Sequence, residues 1–327
     1  MRVAIDGTPL DVTSGGLRRY TEELTRALSR AFAEDQFLVV PPGRGRWWSL
    51  GLPWELARMG ADLFHGTNFA VPYLPLRPSV LTLHDLSLWM EPGWHPGPNR
   101  ERRRAPVLLG LGLAGMVITP TETVRREAIE RFRLHPSRVV AIPEGTNLGK
   151  VAAPQSDSYF LYVGTIEPRK NLPLLIESWR EIRRQYAVDL VLAGRRRHDG
   201  PAIKPEPGLR MLGEVPDRDL PALYSGALAF CYPSQYEGFG LPVLEAMACG
   251  ACVLTSKDPA IGEVAGDAAV RLDADPRAWV EALRSAVERP EWVTLLRQRA
   301  LSRAAGFTWE RTARLTREVY AEAIRRF

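Results

Sequence analysis

The sequence predicts an α/β protein with two doubly wound domains, each built on a parallel sheet. Short apolar runs alternate with helical patterns along the chain, as expected of strands that helices cover on both faces. This alternation breaks off between 144 and 158, where proline, glycine, glutamine and serine gather, and it then resumes. A length of 327 residues also suits two domains better than a single core.

The composition is that of a folded, soluble protein, with 45% hydrophobic and 25% charged residues. The net charge of +5 comes almost entirely from arginine, which suits acidic ligands, an anionic membrane surface, or simply a basic solvated surface. No nucleic-acid-binding module is recognisable, so we expect no nucleic-acid partner. The chain opens without a signal-peptide pattern, which predicts a cytoplasmic protein. The longest apolar run, 107–119, is too short to span a bilayer and predicts a buried helix followed by a strand.

The first half begins with a strand, a glycine loop and a helix. An apolar run at 2–5 is followed by Ser14, Gly15 and Gly16, and then by a helical pattern over 17–32. The two loop glycines either let a ligand approach the backbone or only make a turn. Further strands are expected at 37–40, 62–64, 80–83, 116–119 and 139–142.

Polar side chains follow two of these strands, at the edge where ligands of open α/β sheets bind. His84 and Asp85 are therefore candidates for a site, whereas His65 alone more often packs than takes part in chemistry. A helix that begins at Asn99 carries a basic run at 100–104. This run suits an anionic acceptor, lipid headgroups or a solvated helix face.

The second half repeats the pattern. Strands are expected at 159–163, 189–193, 209–212, 228–231, 251–254 and 269–272. The loop after the first of them ends at Arg169 and Lys170, and Asn171 is the expected N-cap of a helix over 171–185. Two cations at a helix start would neutralise a diphosphate.

The stretch 236–250 is the most informative part of the chain. Gly238 and Gly240 mark a loop, and Pro242 marks the first turn of a helix, whose N-terminus attracts phosphate. Glu237 and Glu245 flank this end, which indicates a ligand with hydroxyl groups as well as phosphate. Ordinary turn glycines and a first-turn glutamate would give the same pattern.

Two other motifs are interpreted as structural. Cys249 and Cys252 match C-x-x-C, but the first lies at a helix end and the second enters a strand, so neither a redox pair nor a zinc site is expected. The D-x-D patterns at 217–219 and 273–275 each precede a helix and are interpreted as turn or cap acids. No metal site is predicted.

Together, the loop at 163–172 and the Glu237-x7-Glu245 pattern within two Rossmann-like halves resemble the retaining glycosyltransferases of family 4. The resemblance covers nearly the whole chain and is strongest over 233–250. It implies the GT-B fold, in which two Rossmann-like doubly wound domains face a central cleft and a C-terminal helix crosses back to the first domain. The implied limits are an acceptor domain over 1–150, a nucleotide-sugar donor domain over 151–306 and the returning helix over 307–327.

The resemblance also implies residue roles. Glu245 would bind the ribose, Glu237 the transferred sugar, and Arg169 with Lys170 the diphosphate. His84 would contact the sugar near its anomeric carbon, and Asp85 would orient the sugar or the acceptor. The remaining donor contacts would come from Gly15, Gly16, Gly164, Gly213, Val215, Gly238, Phe239, Gly240 and Leu241.

Two positions depart from the commonest family pattern. Thr165 stands where an arginine usually follows the glycine, and we expect Arg169 to supply that cation, as in bacterial mannosyltransferase-like members. Glu144 stands where members often have asparagine.

The resemblance thus implies a metal-independent, retaining transferase without a cofactor, which moves a hexose from a nucleoside-diphosphate sugar. The acceptor would be a glycan, a lipid-linked saccharide or a small molecule, and mannose from a GDP donor is the hypothesis for the sugar. Peripheral contact with the inner face of the membrane is a further hypothesis. Two alternatives stay open: a sugar-nucleotide epimerase on the same fold, and a non-catalytic subunit that binds nucleotide sugars.

Overall fold

The computed structural model describes residues 1–11, 15–95, 100–152 and 158–327. They form two compact units, Met1–Gly145 with Thr308–Phe327, and Thr146–Phe307. Ser14, Asn99 and Pro154, from the expected glycine loop, helix start and connecting segment, lie outside the described residues. None of the helices in the described part of the chain combines the length and apolar character that a membrane-spanning segment needs.

The strands, in chain order, are β1 (Arg2–Asp6), β2 (Gln36–Val40), β3 (Leu63–Gly66), β4 (Ser79–Thr82), β5 (Met116–Thr119), β6 (Val139–Ala141), β7 (Tyr159–Val163), β8 (Asp189–Ala193), β9 (Leu209–Gly213), β10 (Ala229–Tyr232), β11 (Val253–Ser256) and β12 (Val270–Leu272). The helices are α1 (Gly16–Ala31), α2 (Leu52–Arg58), α3 (Arg100–Gly110), α4 (Glu122–Phe132), α5 (Leu172–Arg183), α6 (Leu220–Gly226), α7 (Leu241–Ala248), α8 (Pro259–Ala265), α9 (Pro276–Glu288), α10 (Pro290–Ala304) and α11 (Trp309–Arg326).

The first unit contains a six-stranded sheet in the order β2-β1-β3-β4-β5-β6, with parallel pairing throughout. Every residue of β3, β4 and β5 is buried, because helices cover both faces. The direction of chain progression reverses between β1 and β3. A crevice for ligands is expected beyond the carboxyl ends of strands at such a point.

Helix α11 completes the core of the first unit. Its Trp309 and Tyr320 are buried together with Tyr20 and Leu24 of α1. A Cβ atom at Gly145 would lie 2.3 Å from the backbone nitrogen of Trp309, so glycine at 145 lets the start of α11 come close. The last 20 residues are therefore an integral part of this unit.

The second unit also contains a six-stranded parallel sheet, in the order β12-β11-β10-β7-β8-β9. This is the Rossmann strand order, and its reversal point lies between β7 and β10. Helix α5 packs on α9, where Trp179 and Trp279 are buried, and α7 packs on α10. The loops that follow β7 and β10 therefore meet at the reversal point.

The predicted α/β class with two doubly wound parallel sheets is confirmed. One local expectation is wrong. The apolar segment after 107 is not uniformly buried, because Val107 and Leu111 are exposed while Leu108 and Leu109 face the core. Asn171 is the N-cap of α5, as predicted, and its backbone is left-handed there (φ 51°).

Candidate active site

The reversal point of the second unit brings three predicted residues into contact. The Nζ of Lys170 contacts Oε1 of Glu237, and Nη1 of Arg169 lies 3.1 Å from Oε2 of the same carboxylate. All three side chains are buried. They meet because β7 and β10 are neighbours in the sheet, so the loops that follow these strands lie side by side.

An aromatic stack lies beside Lys170. Its Nζ donates to the hydroxyl of Tyr232 at 2.7 Å and lies 4.9 Å from the centre of that ring. Tyr162 and Phe230 flank the ring in stacked geometry, with centroid distances of 5.9 and 5.7 Å. The ammonium is thus fixed by a carboxylate, a hydroxyl and an aromatic face at once.

The charge cluster extends to residues that the sequence analysis missed. Glu167 accepts from Nη2 of Arg169 at 2.9 Å and from Nη1 of Arg197 at 2.5 Å. Arg197 also forms a two-point pair with Asp199. Three acids and three bases therefore alternate from Asp199 to Lys170. The only signal in the sequence is position, since Glu167 stands two residues before Arg169, and Arg197 follows β8.

Glu237 is ionised at neutral pH. Burial by itself would raise the pKa of Glu237, but Arg169 and Lys170, with hydrogen bonds from Lys170 and Ser234, outweigh burial and lower this pKa to about 2. The pKa of Lys170 is lowered by burial and by Arg169, although Glu237 and Glu167 oppose the change. The pKa values of Glu237 and Lys170 are thus set both by burial and by the neighbouring charges.

The glycine loop leads into α7 as predicted from Pro242. Gly240 takes a left-handed conformation (φ 87°) just before the helix. Such an end carries a positive partial charge that favours an anion. The nitrogen of Glu237 donates to Asp258 Oδ2 at 3.2 Å, while Asp258 Oδ1 accepts from the nitrogen of Ile261 and caps α8. Asp258 was not singled out from the sequence, although Pro259 after it marks a helix start.

Glu245 lies inside α7 and is only 1% exposed. The hydroxyl of Tyr224 donates to its Oε2 at 3.0 Å. A ribose-binding role requires the ribose hydroxyls to reach this buried carboxylate. Tyr224 is another residue that spacing along the chain could not reveal, because it lies on a different helix, α6.

Three other predicted donor residues lie elsewhere in the second unit. Gly164 packs against Gly194, where a Cβ atom would come within 2.0 Å of the Gly164 oxygen. Gly213 ends β9 with φ 68°, and the space where its side chain would project is open. Val215 lies two residues after Gly213, and β9 is two strands away from β7 in the sheet. The structure does not bring them into the charge cluster.

The first unit has its own polar group at the carboxyl ends of its strands. Nε2 of His84 donates to the carbonyl oxygen of Thr67 at 2.9 Å, and Nδ1 lies 3.5 Å from Oε1 of Glu144. The Tyr20 ring meets the imidazole edge-on at 4.6 Å. His84 is therefore oriented on three sides, and Glu144, noted in the sequence only as a departure from the family pattern, is one of its neighbours.

Asp85 and the loop glycines have simpler surroundings. Oδ1 of Asp85 accepts from the nitrogen and hydroxyl of Ser87, at 2.9 and 2.7 Å, and so holds the turn after β4. Gly15 and Gly16 are exposed at the start of α1, and a Cβ atom at either would meet open space. His65 is buried between Tyr320 and Thr82, and burial lowers its pKa to about 3, as expected of a packed histidine.

Asp6 is a buried acid that the sequence analysis did not select. It ends β1 beside the reversal point of the first sheet, and its Oδ1 accepts from the nitrogen and hydroxyl of Thr8. Its Oδ2 is buried without a hydrogen-bond partner among the described residues. Burial raises the pKa of Asp6, although the bonds from Thr8 and the charge of Arg104 oppose the rise.

The C-x-x-C pair and the D-x-D motif at 273–275 have structural surroundings. Cys249 and Cys252 are buried free thiols, and burial raises the pKa of each to about 12. Oδ2 of Asp275 accepts from the nitrogen of Ala278 and caps α9. Within the described ranges, no group of three or more His, Cys, Asp and Glu side chains is arranged to hold a metal ion.

The comparison with protein families matches both units. Residues 14–150 match the family described as "Glycosyltransferase Family 4", and residues 145–304 match "Glycosyl transferases group 1". The chain is also 31% identical over 292 residues to the O-antigen chain mannosyltransferase B of Escherichia coli, covering 82% of this chain and 76% of that relative. The chain belongs to glycosyltransferase family 4.

Solved structures share the fold of this glycosyltransferase. Sucrose-phosphate synthase from Thermosynechococcus elongatus superposes with a TM-score of 0.75 at 18% identity, covering 98% of each chain. Anabaena Alr3699/HepE, in complex with UDP-glucose, gives 0.74 at 16% identity and covers 98% of this chain and 100% of that chain. At such identities the likeness establishes the fold alone. The GT-B prediction is confirmed, and the family favours glycosyl transfer over the epimerase alternative.

Proposed function

We propose that this glycosyltransferase moves mannose from GDP-mannose to a hydroxyl group of a glycan or lipid-linked saccharide, with retention at the anomeric carbon and without a metal ion. The observation that carries the proposal is the buried contact of Glu237 with Arg169 and Lys170 at the reversal point of the second sheet. The Escherichia coli relative is named an O-antigen chain mannosyltransferase, which supports mannose as the sugar and a glycan chain as the acceptor class.

Arg169 and Lys170 are the proposed ligands of the donor diphosphate. They lie beside Glu237, which precedes the glycine loop into α7, and a diphosphate there would gain both cations and the positive end of that helix. Negative charge grows on the diphosphate as the sugar leaves, so fixed cations stabilise the transition state more than the ground state. Fixed cations can take over this stabilisation in place of a divalent ion.

Glu237 exchanges partners in this proposal. Without donor, its carboxylate neutralises Arg169 and Lys170; with donor, the diphosphate neutralises these cations, and Glu237 accepts hydrogen bonds from hydroxyl groups of the transferred sugar. The backbone of Gly238, Phe239, Gly240 and Leu241 adds contacts to that sugar. Glu245 accepts from the ribose hydroxyls in place of Tyr224.

The remaining roles follow the family resemblance. Gly213 and Val215 receive the base at the open end of β9. The backbone at Gly15 and Gly16, where the side-chain space is open, approaches the donor phosphates. His84, oriented by Thr67 and Glu144, contacts the sugar near its anomeric carbon. Asp85 positions the sugar or the acceptor.

The test is to incubate the purified protein with GDP-mannose, GDP-glucose and UDP-sugars, with and without EDTA and a lipid-linked acceptor. We expect transfer from GDP-mannose alone, retention of the anomeric configuration by NMR, and rates that EDTA does not change. Lys170→Gln should lower kcat/KM by about 100-fold. The matched change Lys204→Gln, in a loop outside the cluster, should leave kcat/KM unaltered.

Other outcomes point to the alternatives. Conversion of the donor sugar to its epimer without acceptor would establish the epimerase. Tight donor binding without turnover by the isolated chain would favour the non-catalytic subunit. If no nucleotide sugar is bound or hydrolysed, the proposal is wrong.

A further inference from the structure

The loop after β8 lies along the loop after β7 in the second unit. The nitrogen of Ile166 donates to the Arg195 carbonyl oxygen at 2.9 Å, and the nitrogen of Arg197 donates to the Ile166 oxygen at 3.0 Å. Gly200 permits this close approach, because a Cβ atom there would lie 2.4 Å from the Ile166 oxygen. The backbone therefore holds Arg197 beside the loop that carries Glu167.

Glu167 is shared between two guanidinium groups. Its Oε1 accepts from Nη2 of Arg169 at 2.9 Å, and its Oε2 accepts from Nη1 of Arg197 at 2.5 Å. Glu167 is only 6% exposed, so water contributes little to its stabilisation. The Arg197 side chain is 22% exposed and forms two hydrogen bonds with Asp199. The Glu167 carboxylate thus has a buried cation on one side and a cation nearer the surface on the other.

The contact with Glu167 helps to orient Arg169. Glu167 holds Nη2 of the Arg169 guanidinium, while Nη1 donates to the carbonyl oxygen of Tyr236 at 2.5 Å. The same Nη1 lies 3.1 Å from Oε2 of Glu237, where the glycine loop into α7 begins. A guanidinium is a planar fork, and such partners at both of its ends fix the plane in which it can bind a phosphate through two hydrogen bonds.

An acid that orients a cation also cancels part of its charge. The carboxylates of Glu167 and Glu237 equal in formal charge the two cations that they contact, Arg169 and Lys170. In the function proposed above, Glu237 turns to the transferred sugar when the donor binds. Glu167 stays in place and would by itself weaken the attraction between Arg169 and a diphosphate.

Arg197 offsets this loss. Because it shares the Glu167 carboxylate, a second cation neutralises the acid that orients Arg169. Asp199 pairs with Arg197 in turn, but it is one contact further from Arg169 in the row of alternating charges. Its charge therefore acts more weakly on an anion at Arg169. Arg169 is thus held in one orientation and keeps its attraction for that anion.

We propose that Arg197 is a positioning residue for the donor diphosphate and acts through Glu167 on Arg169. Its guanidinium neutralises Glu167, so Glu167 orients Arg169 while the positive charge of Arg169 remains available to the phosphate oxygens. The inference rests on the function proposed above, in which Arg169 binds the diphosphate. It adds the loop after β8 to the donor site, although Arg197 itself acts without touching the donor.

The experiment measures the affinity of the purified protein for GDP and for UDP by isothermal titration calorimetry. Both probes carry the diphosphate, so the result does not depend on the base of the donor. We expect Arg197→Gln to weaken binding by about tenfold, because an acid that no longer has a second cation then opposes the diphosphate. Arg197→Lys keeps the charge without the fork and should stay within about threefold of wild type.

A double-mutant cycle tests the route through Glu167. In the Glu167→Gln background there is no acid for Arg197 to neutralise, so adding Arg197→Gln should change the affinity by no more than about twofold. An equal loss in both backgrounds would show that Arg197 acts on the diphosphate directly or through overall charge, and the proposal would be wrong.

A purely structural role of Arg197 predicts a different pattern. Arg197→Lys loses the two-point pair with Asp199, so it should lower the free energy of unfolding in urea while it retains diphosphate affinity. If stability and affinity fall together in this variant, Arg197 only supports the fold. The matched control is Arg180→Gln, which removes an arginine paired with Glu206 at the surface of the same unit and should leave affinity unaltered. Circular dichroism checks that all variants are folded.

Failure of this inference is distinguishable from failure of the proposed function. If wild type binds neither GDP nor UDP, the proposed donor site and the role of Arg197 are both wrong. If wild type binds one of them and Arg197→Gln binds it equally well, only the role of Arg197 is wrong. Arg169 and Lys170 then remain the proposed ligands of the diphosphate.

Discussion

Glu237 is the carboxylate on which two buried cations of the second unit depend. Replacing it with glutamine leaves Arg169 and Lys170 without their shared counter-charge in a site where all three residues are at most 9% exposed. We expect Glu237→Gln to lower the free energy of unfolding by about 3–5 kcal/mol, as for other buried pairs that lose one partner. Urea denaturation of the purified protein at neutral pH measures this change.

Glu206 provides the control for this prediction. It pairs with Arg180 at 2.7 Å, but the Arg180 side chain is 47% exposed. Glu206→Gln should therefore cost no more than about 1 kcal/mol. Similar losses in the two variants would show that the buried cluster does not stabilise the unit beyond an exposed pair.

The low pKa of Glu237 also gives stability a definite pH dependence. The pKa of Glu237 is 4.5 in the unfolded chain and about 2 in the folded protein. At a pH between these two values, the unfolded chain binds a proton at Glu237 and the folded protein does not. The stabilisation is complete above the ordinary value and is lost as pH falls toward the folded value. Between about pH 5 and pH 3, wild type should lose stability more steeply than Glu237→Gln. Urea denaturation at several pH values measures both proteins. If their free energies of unfolding change with pH in parallel, the low pKa of Glu237 is wrong.

The contribution of Asp6 to stability should depend on pH in the opposite direction. Burial raises its folded pKa above 3.8, so its charged form costs stability as pH rises through that folded value. Asp6→Asn keeps an oxygen to accept from Thr8 and removes the charge. The stability of wild type relative to Asp6→Asn should therefore fall from about pH 3 to neutral pH. Asp267→Asn removes the same charge at an exposed position and so controls for the change in net charge. If the stability of wild type relative to Asp6→Asn instead rises with pH, the folded protein favours the charged form of Asp6 and the prediction is wrong.

The sequence identified individual site residues better than it identified which of them are in contact. Arg169 and Glu237 could be selected because each follows an apolar strand beside a helix start. Their direct pairing could not, because it depends on which strands are neighbours in the sheet. Glu167 and Arg197 were missed for the same reason, since they come from loops after β7 and β8 that are distant in sequence.

Among the elements, α11 is joined to the first unit through a contact that only glycine allows. A Cβ atom at residue 145 would lie 2.3 Å from the nitrogen of Trp309, and backbone cannot yield as a flexible side chain can. Gly145→Ala should therefore destabilise the unit by about 1–3 kcal/mol through overpacking. At Gly149 a Cβ atom would meet open space, so Gly149→Ala is the control. Thermal unfolding followed by circular dichroism distinguishes them, and indistinguishable transitions would contradict the close approach.

The strands were predictable to within one or two residues because burial on both faces leaves runs of apolar side chains. For example, 116–119 and 159–163 coincide with β5 and β7. Helix α3 was harder, because Val107, Leu108, Leu109 and Leu111 look alike in sequence. Apolar character shows that a side chain favours leaving water, but it does not say whether the core or another surface receives it.

The whole molecule divides into one unit built from two separate stretches of chain and one built from a single stretch. The second unit, Thr146–Phe307, contains its complete sheet and core. We expect this fragment alone to unfold cooperatively in urea. A fragment of Met1–Gly145 should not, because Trp309, Ala313 and Tyr320 contribute to its core.

Joining 308–327 to 1–145 through a flexible linker should restore cooperative unfolding and the near-ultraviolet signal of packed aromatic side chains. If the shorter fragment is as cooperative as the linked one, α11 is dispensable for the core. That result would show that the first unit, like the second, folds from a single stretch of chain.

The place of α11 in the first unit has a consequence for how the chain is made. A ribosome releases 1–145 early, but the helix that seals their core comes only after the 162 residues of 146–307. At about 5–20 residues per second this delay is roughly 8–30 s. During that time the second unit can finish folding, while apolar strands such as β4 and β5 lack their final cover. We therefore expect the second unit to complete its fold before the first unit does, the reverse of the usual N-terminal-first order.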